Sequence, residues 1–151
     1  FQLAIMGKLS YRVYWFIASV FYYHFLAVMF GAPFFSEIGG TFAFSLLLAS
    51  LTVLPFLYIT PFDDLNALSF ANFLAFPSGA ASYMADLAIL GSYCSAVAVP
   101  LDWDRWWQRW PIPGCAGCLA GAGLGLAVWA GGTAAVRLTG GASKKNRRRL
   151  D

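Results

Sequence analysis

Pro100-Leu101-Asp102-Trp103-Asp104-Arg105-Trp106-Trp107-Gln108-Arg109-Trp110-Pro111 is the stretch that decides how this chain folds. It holds four of the six tryptophans, charges of both signs and a proline at each end. Long apolar runs with almost no charge lie on either side. Tryptophan concentrates at membrane–water interfaces because its ring is apolar while its indole N–H needs a polar partner. A dense Trp/charge loop between two apolar runs therefore reads as a turn that leaves a bilayer and returns at once.

Composition points the same way. Of the 151 residues, 60% are hydrophobic, 18% aromatic and only 11% charged, and the mean hydropathy is +0.65. A soluble domain averages about 45–50% apolar and about 25% charged residues. A chain this short leaves a large share of its area outside any core, so this much apolar surface needs lipid as its outer solvent. The expected fold class is all-α: a polytopic transmembrane helical bundle, one multi-pass membrane domain over residues 1–151.

Crossing the hydrocarbon core takes about 20 mostly apolar residues. Four windows qualify, at about 13–30, 41–58, 82–99 and 112–136. Gly31-Ala32-Pro33 ends the first, since the residue before a proline avoids the helical region. Pro55 lies near the end of the second and is placed to kink it. The connection Thr60–Gly79 mixes Asp63, Asp64 and Asn66 with large apolar residues, and reads as a short helix lying in the interface or docked on the bundle. The fourth window carries Gly117, Gly121 and Gly125 at G-x-x-x-G-x-x-x-G spacing. That spacing puts three glycines on one helical face, where another backbone can come close. The backbone is either a helix of this same chain or one of a partner subunit.

Six of the ten basic residues, Arg137, Lys144, Lys145, Arg147, Arg148 and Arg149, lie in the C-terminal tail, 137–151. With Lys8 and Arg12 they put eight basic residues at the two termini, against Arg105 and Arg109 on the opposite side. The positive-inside rule then makes both termini cytosolic. A basic tail without a folded basic face is no nucleic-acid module, so no nucleic-acid partner is expected. The tail suits anionic membrane lipid. No signal peptide is visible in Phe1–Ser10.

Candidate chemistry is sparse. There is no P-loop, dinucleotide fingerprint or metalloprotease motif. Cys115-x-x-Cys118 invites a metal, yet a structural zinc needs about four ligands and His24, the one histidine, is far away. Cys94 makes an odd total of three, which is no disulfide framework. No cofactor, metal or catalytic residue is expected. Asp86 stands near the start of the third window, where it either reaches headgroup water, caps the helix, or serves a function as intramembrane carboxylates often do. Asp102 and Asp104 could bind a cation, or pair with Arg105 and Arg109 and cap a short turn. If helical, Trp103, Trp107 and Trp110 share a face, a stripe that would anchor the loop on the membrane or meet a lipid headgroup or a partner.

The order of residues in this loop resembles P-L-D-W-(D/E)-R-P-W-Q-x-W-P, a signature of the Pig-F family of glycosylphosphatidylinositol (GPI) anchor biosynthesis. Trp106 stands where the family has proline, and Arg109 where it has a smaller or apolar residue. A second block agrees. Phe30-Gly31-Ala32-Pro33 resembles the family's Y-G-A-P, and Thr41-Phe42 through Thr52-Val53-Leu54-Pro55 resembles its following helix. Family members have about six spans, two of them before this block, so the resemblance implies a missing N-terminal part or a shortened variant.

The resemblance implies a multi-pass protein of the endoplasmic reticulum membrane. It would act as a non-catalytic subunit that stabilises a large GPI ethanolamine phosphate transferase, whose catalytic subunit adds phosphoethanolamine to GPI mannose. On that reading Asp102, Trp103, Asp104, Arg105, Trp107 and Trp110 form an interface with the partner or a lipid headgroup, and Gly117, Gly121 and Gly125 serve helix packing. The alternative is a phosphoethanolamine transferase, or a lipid-presenting enzyme or carrier, in its own right.

Overall fold

The computed structural model of the chain describes residues 2–33, 35–59, 79–97 and 105–147, with side chains described between 9 and 137. Among these residues every regular element is helical. Helix α1 runs Gln2–Met29, α2 Ile38–Ile59, α3 Ala80–Ala96 and α4 Ile112–Arg147, with a single 3-10 turn at Trp106–Gln108. Two of the four helices are long and apolar enough to cross a membrane by length and composition, Ile38–Ile59 with a mean hydropathy of 2.1 and Ile112–Arg137 with 1.5. Helix α3 has 17 residues, or about 25 Å at about 1.5 Å per residue, at the lower limit of about 17 residues for a crossing. The Thr60–Gly79 expectation lies outside the described residues apart from Gly79.

The helix ends follow from local chemistry. At the end of α1 the N–H of Ala32 donates to the Ala27 carbonyl at 2.9 Å, and that of Gly31 to the Val28 carbonyl at 3.0 Å. This is the Schellman arrangement, which needs a left-handed residue after the helix, and Gly31 supplies it with φ +97°. Pro33 then prevents helical continuation. Helix α2 continues through Pro55 for one more turn. Helix α4 runs past the expected end at 136 into the basic tail as far as Arg147, a stretch with no proline to stop it.

Helix α2 is the central element, packing against α1, α3 and α4, while α3 and α4 form the most extensive pair. The apolar core draws on all four helices, with Val20 and Tyr23 from α1, Phe44 and Leu48 from α2, Ala88 from α3 and Cys118 from α4. Three of the most deeply buried groups on α2 are polar. Thr41, Ser45 and Thr52 are completely buried, and recur at helical spacing on one face. The Ser45 hydroxyl donates back to the Thr41 carbonyl at 2.8 Å, and that of Thr52 to the Leu48 carbonyl at 2.7 Å. Large apolar side chains face outward instead: Phe21 is 60% exposed, Phe25 61% and Leu124 58%. Small hydroxyl residues inside and large apolar residues outside is the distribution that suits helices packed in lipid.

Candidate functional site

Two turns and the ends of four helices meet at one end of the bundle. The C-terminus of α1, the N-terminus of α2, the C-terminus of α3 and the N-terminus of α4 all point there. Trp110 closes this end. Its indole N–H donates to Oγ1 of Thr41 at 2.9 Å. The Thr41 hydroxyl shares its own proton between the carbonyls of Pro33 and Glu37, each at 3.2 Å. The Trp110 ring lies against Phe44 with centroids 5.2 Å apart and planes tilted by 60°. Glycines keep the approach open: a Cβ at Gly114 would lie 3.1 Å from the Phe44 ring, and one at Gly40 would lie 3.0 Å from Cδ of Pro111.

Trp110 therefore departs from the expected surface stripe. The described part of the loop is one 3-10 turn and a bend, with Trp106 76% exposed, so Trp107 and Trp110 do not continue along one α-helical face. The indole of Trp110 finds its polar partner inside the protein, and that satisfies the need that would otherwise hold it at the membrane surface. Arg105 and Arg109 are exposed and Trp107 is half-buried. The backbone N–H of Arg105 donates to Oε1 of Gln108 at 3.1 Å, which fixes the turn. Asp102, Trp103 and Asp104 lie outside the described residues.

The glycine series faces α3 of the same chain. A Cβ at Gly117 would fall on the Gly91 carbonyl oxygen, one at Gly121 on that of Leu87, and one at Gly125 on that of Tyr83. Gly91 reciprocates, since a Cβ there would meet the Gly117 carbonyl. The two backbones are in antiparallel register along about two helical turns, and side chains larger than hydrogen do not fit between them at these glycines. Such close approach is how helices associate where no hydrophobic effect drives them together, and it lets weak Cα–H···O contacts form. Gly123, Gly131 and Gly132 face open space.

The remaining candidates are placed as follows. Asp86 is exposed on α3, seven positions after the N-cap residue Gly79, so it does not cap the helix. Cys118 is fully buried in the core, Cys115 is half-buried and Cys94 exposed. His24 lies against Phe42 with ring centroids 6.0 Å apart.

Two features are absent from the sequence reading. The first is the hydroxyl pair of Tyr23 and Thr52, 2.9 Å apart. The single Thr52 proton goes to the Leu48 carbonyl at the shorter distance of 2.7 Å, so the Tyr23 O–H supplies the proton between the two hydroxyls. Hydroxyl residues at helical spacing in an otherwise apolar span are the signal that could have found it. The second is an apolar cavity of about 500 Å³ between α1, α2 and α3, beneath Trp110.

The model of the "GPI biosynthesis protein family Pig-F" matches residues 2–130. Among curated relatives, the chain is 34% identical over 123 residues to "Glycosylphosphatidylinositol anchor biosynthesis protein 11" of Pyricularia oryzae, covering 82% of this chain and 45% of the relative. It is 34% identical over 116 residues to the Yarrowia lipolytica protein of the same name, covering 76% of this chain and 49% of the relative. It is 28% identical over 127 residues to the human "GPI ethanolamine phosphate transferase, stabilizing subunit", covering 82% of this chain and 58% of the relative. The chain thus spans about half the length of the curated relatives it matches. No solved structure matches it.

Proposed function

This chain belongs to the Pig-F family of GPI biosynthesis proteins, and from that premise we propose that it is a non-catalytic membrane subunit. It stabilises a GPI ethanolamine phosphate transferase, whose catalytic subunit adds phosphoethanolamine to GPI mannose. The observation that carries the reading is the similarity to a human protein named as a stabilising subunit, extending over 82% of this chain. The use of the two signature blocks supports it. The conspicuous polar groups of Thr41 and Trp110 are engaged with each other and with main-chain carbonyls.

In this proposal all four helices cross the endoplasmic reticulum membrane, with both termini cytosolic and the Trp-rich loop in the lumen. The excess of Lys and Arg at the termini supports that orientation. The proposed contact with the partner or with lipid headgroups comprises Asp102, Trp103, Asp104, Arg105 and Trp107. Trp110 holds the loop from within, and Gly117, Gly121 and Gly125 hold α4 on α3.

The test is co-purification. Arg105→Ala with Trp107→Ala should reduce both recovery and abundance of the transferase, while this chain itself is still made. If Trp103→Ala with Trp107→Ala leaves the complex intact, the loop is not the contact. Transfer of phosphoethanolamine by the purified chain alone would overturn the subunit reading.

A further inference from the structure

The cavity beneath Trp110 has a volume of about 500 Å³ and lies between helices that do not close on each other. Helix α1 packs on α2 and makes no comparable contact with α3, so the side between α1 and α3 is the mouth that helix packing leaves unsealed. Phe30, 76% exposed, and Tyr93, 63% exposed, reach across that mouth with ring centroids 6.0 Å apart. Both rings also line the cavity.

The wall restricts what can fill it. The Ser92 hydroxyl donates to the Ile89 carbonyl at 2.7 Å, and that of Tyr23 is bonded to Thr52. These hydroxyls are therefore already partnered, while an enclosed water needs about two to four polar partners. The occupant is apolar. Size narrows it further. A cavity of about 150 Å³ takes up benzene, so this one holds roughly eighteen to twenty carbons, about one acyl chain. A helix of about 10 Å diameter fills roughly 420 Å³ in a single turn of about 5.4 Å, so the cavity encloses no more than about one turn of a helix and suits a slimmer chain better. At the Trp110 end, Glu37, Arg105 and Arg109 are exposed. They sit on the two turns that Thr41 and Trp110 join, and this pairing of charges of both signs complements a headgroup carrying a phosphate and an ammonium.

We propose that this cavity holds one acyl chain of a zwitterionic glycerophospholipid from the bilayer. The chain enters between Phe30 and Tyr93, with the headgroup at the Trp110 end. The site is independent of the subunit reading, since it requires no transferase.

The test uses the full chain in phosphatidylcholine nanodiscs doped with a phosphatidylcholine that carries a diazirine near its acyl terminus. The protein is moved into mild detergent, washed free of surrounding lipid and then irradiated. Retained crosslinks should fall within Tyr23–Ala27 and at Leu48 and Ile89, the lining residues farthest from Trp110. They should drop several-fold in Ala96→Phe, which fills the cavity, and not in Ala127→Phe on the exposed side of α4. No retained crosslink, or equal labelling at the outward-facing Phe21 and Leu124, would overturn the proposal. So would undiminished labelling of Ala96→Phe. If Ala96→Phe is not recovered folded, the wild-type crosslink map decides alone. Retention of a phosphatidylglycerol probe equal to that of phosphatidylcholine would overturn the headgroup assignment.

Discussion

The indole N–H of Trp110 donates to Oγ1 of Thr41 across 69 positions of sequence, and Thr41 passes the connection on to the Pro33 carbonyl. One threonine hydroxyl thus ties the turn after α1, the start of α2 and the start of α4 together. The Gly-Ala-Pro block and the Trp-rich block are two halves of one junction. Thr41→Val removes the acceptor and leaves the half-buried indole N–H without its partner, a loss of about 1–3 kcal/mol. Trp110→Phe removes the donor but leaves the Thr41 hydroxyl its carbonyl acceptors. The double variant should lose less than the sum of the two singles. Thermal unfolding in mild detergent measures all three, and strict additivity would mean that the bond contributes nothing.

The Tyr23–Thr52 pair should respond asymmetrically. Tyr23→Phe leaves Thr52 donating to the Leu48 carbonyl, so its cost is small. Thr52→Val leaves a phenol that is 5% exposed without an acceptor, and costs more. The coupling between the two should be about 0.6 kcal/mol, with about 1.7 kcal/mol as the upper range for hydrogen bonds between membrane helices. A double-mutant cycle on unfolding in detergent checks both the size and the asymmetry.

Glycines in α4 should divide sharply by face. Gly121→Ala places a methyl group on the Leu87 carbonyl and forces α3 and α4 apart, at a cost of about 1–3 kcal/mol for overpacking. Gly123→Ala meets nothing within 4 Å and should gain about 0.5–1 kcal/mol from better helix propensity. Opposite shifts in melting temperature are the expected result, and shifts of the same sign would contradict the packing of α4 on α3.

Gly31→Ala should destabilise the chain by about 1–2 kcal/mol, because a Cβ is disfavoured at φ +97°. The space around Gly31 is open, so the cost is conformational and not steric contact with neighbours. Gly31→Asn should recover part of it, since asparagine tolerates the left-handed region. Equal losses for Ala and Asn in the same unfolding measurement would count against this cause.

Much of this molecule is written locally. The apolar windows at 13–30, 41–58, 82–99 and 112–136 each coincide with the greater part of a helix, because long apolar runs bounded by Gly, Pro and charge leave the backbone few other choices. The end of α1 is legible in Gly31-Ala32-Pro33 for the same reason. Helix ends in weakly apolar sequence were less legible. Gln2–Arg12 and Arg137–Arg147 carry Lys and Arg, which lower the hydropathy of a window without stopping a helix.

The helical class, the family and the glycine spacing on α4 follow from residue order and the 3.6-residue period alone. Which surface those features meet depends on packing. The glycines face α3, where the carbonyls of Tyr83, Leu87 and Gly91 stand in their place. Trp110, read from composition as a residue of the membrane surface, points inward, because Thr41 offers its N–H a nearer acceptor than the interface does. The cavity between α1, α2 and α3 is likewise a product of packing. Its walls come from four separate segments, and no single stretch of sequence records the space that they enclose.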